Sequence, residues 1–360
     1  MMIGAFFLVL GPLVLFHELG HYLVGRLFGV RADAFSIGFG KELTGWTDRR
    51  GTRWKLSVLP LGGYVQFAGD MNPASVPDPS NLANPEPGTF QAAKLWQRAL
   101  IVLAGPMTNL FLAVAIFAAF NLAFGKPVAP PEIGAFAPNS AAQAAGMAVG
   151  DRIVAIDGDP VEQFEDIARK VMIYPGRTIE IAYQRGGEQR IIPVKIAEVS
   201  ETDRFGNEGK RGLIGISPSS VKLEQVGVIE AFSTGFDQSI AIVRMMVTGI
   251  AQIFTGERSV KELGGPIKIA KYSGEQLTLG WLSFANFAAL ISINLAFINL
   301  LPIPALDGGH LAFYAAEAVR RKPLGARSQE WAFRTGMALV FALMLFVTIN
   351  DLVSLPLFGG

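Results

Sequence analysis

Four stretches of this sequence contain no Asp, Glu, Lys or Arg: 1–16, 99–125, 276–306 and 335–350. A helix that crosses a hydrocarbon core of about 30 Å needs roughly 20 mostly apolar residues, so each stretch can form all or most of one crossing. Only 17% of the whole chain is charged. This distribution excludes a purely soluble enzyme and a β-barrel, whose strands alternate over short segments. A protein with a single anchoring span fits it poorly, because the stretches are spread along the whole chain.

Lysine and arginine are absent before Arg26 and after Arg334, and they concentrate in 26–98 and 320–334. Because positively charged loops stay in the cytoplasm, we expect both termini outside and an even number of crossings, which four spans satisfy. The net charge of +1 gives no field that would attract nucleic acid. The chain has no cysteine, which excludes disulfides, thiolate zinc sites and a cysteine nucleophile.

The N-terminal membrane half, 1–125, is predicted to contain helices at about 2–28 and 96–124, joined by a cytoplasmic loop, 29–96. Two glycine-rich pieces of that loop alternate in polarity and are rich in β-branched residues, which predicts a β-hairpin whose apolar core dips into the membrane interface. They are the runs 35–40 and 54–67. The Pro-, Asn- and Ser-rich run 71–87 predicts a mobile loop.

Residues 126–222 predict a compact αβ module outside the membrane, because charged residues return and short apolar runs alternate with turns. The run Asn139–Gly158 resembles PDZ domains in the circularly permuted bacterial arrangement. One loop looks like the carboxylate-binding loop of these domains: Gly212, Leu213, Ile214 and Gly215. The resemblance implies capture of a peptide terminus by backbone N–H groups. A generic αβ domain without a peptide partner is the alternative.

Residues 223–275 carry apolar side chains at helical spacing together with charges, which favours an amphipathic segment in the membrane interface over a crossing. The C-terminal membrane half, 276–360, predicts two more spans. The first begins near Leu279 and is broken by two prolines, and the second covers about 332–355. The predicted fold class is an α-helical membrane protein with about four transmembrane helices, a membrane-associated β-hairpin and an inserted αβ PDZ-like domain.

The run His17-Glu18-Leu19-Gly20-His21 lies inside the first apolar helix. Residues i and i+4 share a helix face, so both imidazoles can bind one zinc ion while Glu18 acts as the base of a hydrolytic reaction. Ionisable groups inside a membrane helix are costly unless they have partners or a function. The alternative, that these groups only hydrogen-bond to neighbouring helices, is therefore disfavoured.

A catalytic zinc usually has three protein ligands, and the clearest third candidate is Asp307. It follows the proline-containing run 299–306, where an otherwise charge-free helix is broken. A helix-capping carboxylate is the alternative interpretation of Asp307. His310 is an alternative ligand, although a packing or hydrogen-bonding role is favoured for it.

Three separated motifs resemble the signatures of the site-2 protease family of intramembrane zinc metalloproteases: His17–His21, Gly105–Asn109 and Asn299–Gly309. The single PDZ-like insertion further resembles the RseP branch, whose well-known members carry two such domains in tandem. The resemblance implies one zinc ion inside the bilayer, near its cytoplasmic side. The metal ligands and the general base that it implies are His17, His21, Asp307 and Glu18.

The same resemblance assigns substrate-handling roles. Asn299 and Asn294 match asparagines implicated in substrate handling or in stabilising the tetrahedral intermediate, with interhelical hydrogen bonding as the alternative. Glycines of the hairpin match elements thought to pair with an unwound substrate: Gly38, Gly40, Gly62 and Gly63. For Asn109, helix packing beside the break at Gly105 is favoured over catalysis.

Together these features predict a membrane-embedded zinc endopeptidase that cuts single-span membrane proteins in or near their transmembrane segment. The family implies a bacterial inner-membrane protein with its termini and PDZ-like domain in the periplasm. It also implies regulated intramembrane proteolysis in a stress response, acting on an anti-sigma factor or on remnant signal peptides. A non-enzymatic membrane-anchored PDZ scaffold and a metal transporter are the alternatives, and the intact glutamate of the zinc motif favours the enzyme over both.

Overall fold

The computed structural model describes residues 2–69, 86–202, 208–256, 260, 264–322 and 325–353. The loop predicted at 71–87 lies almost entirely outside these residues. The helices are α1 (Met2–Leu27), α2 (Leu95–Phe124), α3 (Ala141–Ala144), α4 (Phe164–Met172), α5 (Val228–Thr255), α6 (Pro266–Thr278), α7 (Trp281–Leu300), α8 (Asp307–Arg320) and α9 (Ala326–Val353). The strands are β1 (Ala32–Thr47), β2 (Arg53–Phe67), β3 (Lys126–Val128), β4 (Ile133–Phe136), β5 (Arg152–Ile156), β6 (Asp159–Pro160), β7 (Thr178–Arg185), β8 (Glu188–Lys195), β9 (Ala197–Thr202), β10 (Glu208–Leu213), β11 (Ile216–Pro218) and β12 (Lys222–Glu224).

Within the described residues, five helices are long and apolar enough to cross a membrane: α1, α2, α5, α7 and α9. Four of them correspond to the predicted spans, and α5 lies in the segment predicted to be interfacial. The chain is therefore a mostly helical, multi-pass membrane protein. α9 begins at Ala326, earlier than the predicted start near residue 332. The prediction followed the apolar residues, whereas the first turns of α9 are polar and contain an ion pair between Arg334 and Glu330.

β1 and β2 are bent, so that the predicted hairpin is a small sheet of four short runs. Residues 34–37 pair with 63–66 on one side and with 53–56 on the other. The run 53–56 also pairs with 44–47. Among the residues that the structure describes, the runs 63–66 and 44–47 are therefore the two edges of this sheet.

Residues 126–222 form an αβ module with its own core. The sheet order is β6-β5-β7-β8, with every neighbouring pair antiparallel. β3 pairs with β12, so the first and last strands of the module are neighbours. The largest buried side chains of the core include Ile133, Ile153, Ile167, Ile179, Ile181 and Val194.

A buried carboxylate ties two parts of this module together. Asp151 accepts two hydrogen bonds from Arg185, from Nε at 2.6 Å and from Nη2 at 2.7 Å, and one from the backbone N–H of Ala148. Burial raises the pKa of Asp151, but the hydrogen bonds from Arg185 and Ala148 outweigh this effect and hold the pKa below its ordinary value. A carboxyl whose pKa is lowered on folding stabilises the fold above its unfolded pKa, and the stabilisation is lost as the pH falls through the folded pKa.

We therefore expect Asp151→Asn to destabilise the αβ module by about 1.5–3 kcal/mol at pH 7, the range for a hydrogen bond to a charged group. The difference from the wild type should begin to shrink below about pH 4, where the carboxyl of the unfolded chain takes up a proton, and it should vanish as the pH falls through the lowered pKa of the folded state. Amide hydrogen exchange of β5 and β7, compared between the variant and the wild type at pH 7 and at a pH below about 4, measures this difference in stability. An equal difference at both pH values would contradict this explanation.

The amphipathic segment predicted at 223–275 is two helices rather than one. α5 is ended by Gly256, which has a left-handed φ of 79°, and α6 has Pro266 in its first turn. Glycine past a helix end and proline at a helix start are the usual boundary residues. The carboxylate of Asp351, near the end of α9, caps α6 by accepting hydrogen bonds from three backbone N–H groups: Gly265, Ile267 and Lys268.

Candidate metal centre

Two histidines project from the same face of α1. His17 and His21 are about one helical turn apart, and their Nε2 atoms lie 3.2 Å from one another. His17 is buried, and the side chain of His21 is 12% exposed. The helical spacing predicted from the sequence therefore brings both ring nitrogens to one point.

Asp307 reaches the same point from the break between α7 and α8. The chain turns over 301–306, and Asp307 is the first residue of α8. A Cβ at Gly308 would lie 2.3 Å from two carbonyl oxygens of the preceding turn, and a Cβ at Gly309 would lie 2.4 Å from another. The tight turn that presents Asp307 therefore requires both glycines.

Gly336 of α9 supports this break, although the sequence pattern did not single it out. A Cβ at Gly336 would overlap the carbonyl group of Pro304, so α9 can pack against the break only with glycine at this position. Gly336 is the one glycine within the charge-free stretch 335–350. An isolated glycine in an apolar span is the sequence feature that points to such a close approach.

The donor atoms of His17, His21 and Asp307 fit a zinc ion. Asp307 Oδ2 lies 3.2 Å from His17 Nε2 and 3.6 Å from His21 Nε2. Tetrahedral zinc with ligand bonds of about 2.0–2.1 Å needs donor atoms about 3.3 Å apart. Asp307 Oδ2 is also buried and has no hydrogen-bond partner among the described residues, so the carboxylate oxygen is available to a cation.

The carbonyl oxygen of Ile101 on α2 orients one of the two imidazoles. His21 Nδ1 donates a hydrogen bond to it at 2.8 Å, and a carbonyl oxygen can only accept, so Nε2 keeps its lone pair for a metal. Partners of this kind fix the orientation of metal-binding histidines. His310 lines the same cavity, but in the described part of the chain the ligand group that converges is His17, His21 and Asp307 without it.

Gly105 lets α2 approach the two histidines closely. A Cβ at this position would lie 2.2 Å from His21 Nε2 and 2.9 Å from His17 Cε1. On the facing helix, a Cβ at Gly20 would lie 2.6 Å from the carbonyl oxygen of Ala104. The glycine of the Gly105–Asn109 motif therefore makes room for both imidazoles.

We expect Gly105→Ala to weaken zinc binding by at least 10-fold, because the new methyl group would lie only 2.2 Å from His21 Nε2 and 2.9 Å from His17 Cε1 and would displace both rings. Zinc competition against a chelator of known affinity, with the purified full chain, measures the effect. Gly11→Ala on α1 is the matched control, since a Cβ at Gly11 meets nothing within 4 Å. Equal zinc affinity of the two variants would contradict the close approach.

Glu18 faces a cavity of about 160 Å³ that contains the three candidate ligands. The lining includes Asn299 but, among the described residues, not Asn294. The other lining residues come from the hairpin, from α2 and from the break before α8: Gly63, Tyr64, Val65, Phe67, Phe90, Ile101, Val102, Ala305, Leu306 and His310. The arrangement places a carboxylate and an amide beside a three-ligand metal site.

The four hairpin glycines occupy different places. Gly63 lines the cavity, and a Cβ there would lie 3.1 Å from Glu18 Cγ. Gly62 has a positive φ of 105° and lies against the ring of Phe39. Gly38 and Gly40, each with a φ of 91°, lie in β1 and are not among the described residues that line the cavity. The structure thus brings one of the four to the metal centre.

The segment 212–215, predicted as a carboxylate-binding loop, is only partly a loop, because Gly212 and Leu213 are the last residues of β10 and pair with β9. The segment is anchored on both sides. A Cβ at Gly212 would lie 2.3 Å from the Val171 carbonyl oxygen of α4. Ser140 Oγ donates to the Ile214 carbonyl at 2.9 Å, and Gly215 has a positive φ of 72°. Of the side chains between the two glycines, Ile214 is buried in the core and Leu213 is exposed.

Comparison with known proteins gives consistent similarities. The sequence model of the family described as Peptidase family M50 matches residues 5–343. "Putative zinc metalloprotease Atu1380" of Agrobacterium fabrum is 45% identical over 358 residues, covering 97% of this chain and 95% of the relative. "Metalloprotease MmpA" of Caulobacter vibrioides is 34% identical over 379 residues, covering 98% of this chain and 95% of the relative. A PDZ domain of an SdrC-like protein of Listeria monocytogenes covers 25% of this chain and 85% of that structure at 22% identity, but its TM-score of 0.18 is too low to support a structural argument.

Proposed function

The chain belongs to peptidase family M50, the site-2 proteases, and we propose that it is an intramembrane zinc endopeptidase that cleaves single-span membrane proteins in or near their transmembrane segment. The observation that supports this proposal is that the three candidate zinc ligands converge on or next to helices long and apolar enough to cross a membrane. His17 and His21 lie within an apolar helix long enough to cross a membrane, and Asp307 follows another such helix. A site built between apolar spans favours substrates that are themselves embedded in the membrane.

The proton chemistry belongs to Glu18. Zinc held by His17, His21 and Asp307 would supply polarisation of the scissile carbonyl and a lowered pKa for the attacking water. Glu18 lines the same cavity, takes the proton of the attacking water and later passes it to the leaving amine. The backbone N–H of Val65 is within hydrogen-bond reach of the Glu18 carboxylate.

Asn299 is the residue to which we assign stabilisation of the developing oxyanion. Asn299 lines the cavity that holds the ligands and Glu18. An amide N–H placed there can donate to the carbonyl oxygen of the scissile bond, an interaction worth about 3–4 kcal/mol in other enzymes. Asn294 lies one helical turn and more away along α7, and for it interhelical hydrogen bonding is the better assignment.

The hairpin edge formed by 63–66 is the proposed substrate-binding strand. Peptide bonds in a transmembrane helix are already hydrogen-bonded, so the helix must unwind before it can be cut. Adding the unwound segment to this edge would replace the lost backbone hydrogen bonds. The edge leads to the reacting groups, because Gly63, Tyr64 and Val65 line the cavity beside Glu18.

We further propose that α5 lies along the membrane surface, which leaves four crossings. α5 follows β12, which pairs with β3 of the αβ module, and near its other end Gln252 Nε2 donates to the Ile173 carbonyl of the same module at 2.5 Å. One end of α5 is joined to this module through 225–227 and the other is hydrogen-bonded to it, which supports placing both ends on the same side of a bilayer. Four crossings agree with the lysine and arginine distribution.

The αβ module is proposed to be a PDZ-like domain on the periplasmic side of a bacterial inner membrane, where the loop at 212–215 receives a peptide terminus. The support is the order of its elements and the anchored, glycine-containing loop. The substrates that the family resemblance suggests are an anti-sigma factor and remnant signal peptides, cut in regulated intramembrane proteolysis. The zinc site is then near the cytoplasmic side.

The test is cleavage by the purified full chain in liposomes that contain a single-span substrate. Two substrates differ only in the span, which is Leu-rich in one and carries Gly and Pro in the other. We expect cuts within the Gly- and Pro-containing span that stop on chelation with 1,10-phenanthroline and return with added zinc. No cleavage of either substrate, or cuts confined to the flanks and insensitive to the chelator, would overturn the proposal.

A further inference from the structure

Asn109 is a fully buried polar side chain beside the metal centre. Its exposed fraction is 0%, and its amide nitrogen lies 3.5 Å from His17 Nδ1, on the side of the imidazole opposite the candidate metal-binding atom. Its amide oxygen is also buried and has no hydrogen-bond partner among the described residues. A helix-packing role alone gives no reason to bury such an amide.

The chemistry of His17 decides which end of this amide faces the ring. If His17 Nε2 is to bind a metal, the ring hydrogen must be on Nδ1, and Nδ1 then needs an acceptor. An amide N–H cannot accept, and the two ends of an asparagine amide are exchangeable assignments. The arrangement that satisfies the ring therefore turns Oδ1 of Asn109 towards His17 Nδ1.

The position of Asn109 is itself fixed from α7. Ser292, which is fully buried, donates from Oγ to the backbone carbonyl oxygen of Asn109 at 2.7 Å. On the other histidine, the Ile101 carbonyl accepts from His21 Nδ1. Both imidazoles thus meet an acceptor on α2, one supplied by the backbone and the other by a side chain.

We infer that Asn109 is a positioning residue for the metal: it accepts the Nδ1 hydrogen of His17, fixes that ring with Nε2 towards Asp307, and is held in place by Ser292. This inference rests on the proposed zinc site. Loss of such a partner typically lowers metal affinity by 10–100-fold. The role differs from catalysis, since Asn109 acts only through His17.

The test compares two replacements of Asn109. The order of their zinc affinities distinguishes a positioning role from a packing role. Asn109→Asp keeps an acceptor of the same length, whereas Asn109→Leu keeps the volume and removes the acceptor. We expect zinc affinity, measured by chelator competition on the full chain, to fall by 10–100-fold in Asn109→Leu and to be retained in Asn109→Asp. The thermal stability of the metal-free protein should follow the opposite order, because a buried charge is costly and a buried leucine is not.

The matched control is Asn121→Leu, the same change at another buried asparagine of α2, which should leave zinc affinity unchanged. If Asn109→Leu does not fold, Asn109→Ala takes its place with the same expectation. Zinc affinity within threefold of the wild type in the acceptor-free variant, or equal loss in Asp and Leu, overturns the inference. A wild type that binds no zinc overturns the proposed function instead.

Discussion

Replacing Glu18 by Gln is expected to slow cleavage of a membrane substrate by about 10²–10⁴-fold, the usual contribution of a positioned general base. Glutamine has the same size and still lines the cavity, but it cannot take a proton from water. The zinc content should stay at the wild-type value, because His17, His21 and Asp307 are untouched. Single-turnover cleavage in liposomes, with metal content determined on the same sample, measures both quantities.

Glu230→Gln is the matched control for this prediction, since Glu230 is exposed in the first turn of α5. It should cleave at the wild-type rate. A Glu18→Gln protein that keeps full zinc and more than one-tenth of the wild-type rate would remove Glu18 from the mechanism. Loss of zinc together with activity would instead show that the carboxylate helps to hold the metal.

Replacing Asp307 by Ala is expected to raise the zinc dissociation constant by more than 100-fold and to abolish cleavage. The change removes one of three donors, a larger loss than the 10–100-fold typical of an outer partner. His310→Ala should change zinc affinity by only a few-fold, because His310 lines the cavity without joining the ligand group. Chelator competition on the two variants in parallel measures the difference.

The comparison of these two variants also decides between the two candidate third ligands. Both residues lie on the first turn of α8, so a general disturbance of this helix would affect zinc binding in both. Strong zinc binding by Asp307→Ala together with its loss in His310→Ala would identify His310 as the ligand. The donor distances to Asp307 Oδ2, 3.2 and 3.6 Å, predict the opposite.

The ligand set could be proposed from the sequence because local rules are enough for it. The spacing of His17 and His21 is a property of one helix, and Asp307 stands out because a lone carboxylate in an apolar stretch is costly without a function. The spans were predicted from residue composition in the same way. None of these inferences requires knowledge of which helices are neighbours.

Other features depend on how distant segments pack, which local patterns do not encode. The closeness of Gly105 to both imidazoles and of Asn109 to His17 follows from the register of α2 against α1. The folding of the hairpin into four runs depends on bends that alternation of polarity does not reveal. The division of 223–275 into two helices is, by contrast, encoded locally. Gly256 and Pro266 are typical helix-boundary residues, but the continuous apolar periodicity of the segment favours a single helix.

The most direct test of the account is X-ray absorption spectroscopy of the zinc-loaded full chain, combined with metal counting. We predict one zinc ion per chain, with two imidazole nitrogens at about 2.0–2.1 Å and carboxylate or water oxygen at about 2.0–2.2 Å. The signal should disappear in the His17→Ala, His21→Ala and Asp307→Ala variants. A full zinc complement in these variants, or a spectrum without two imidazoles, would contradict it.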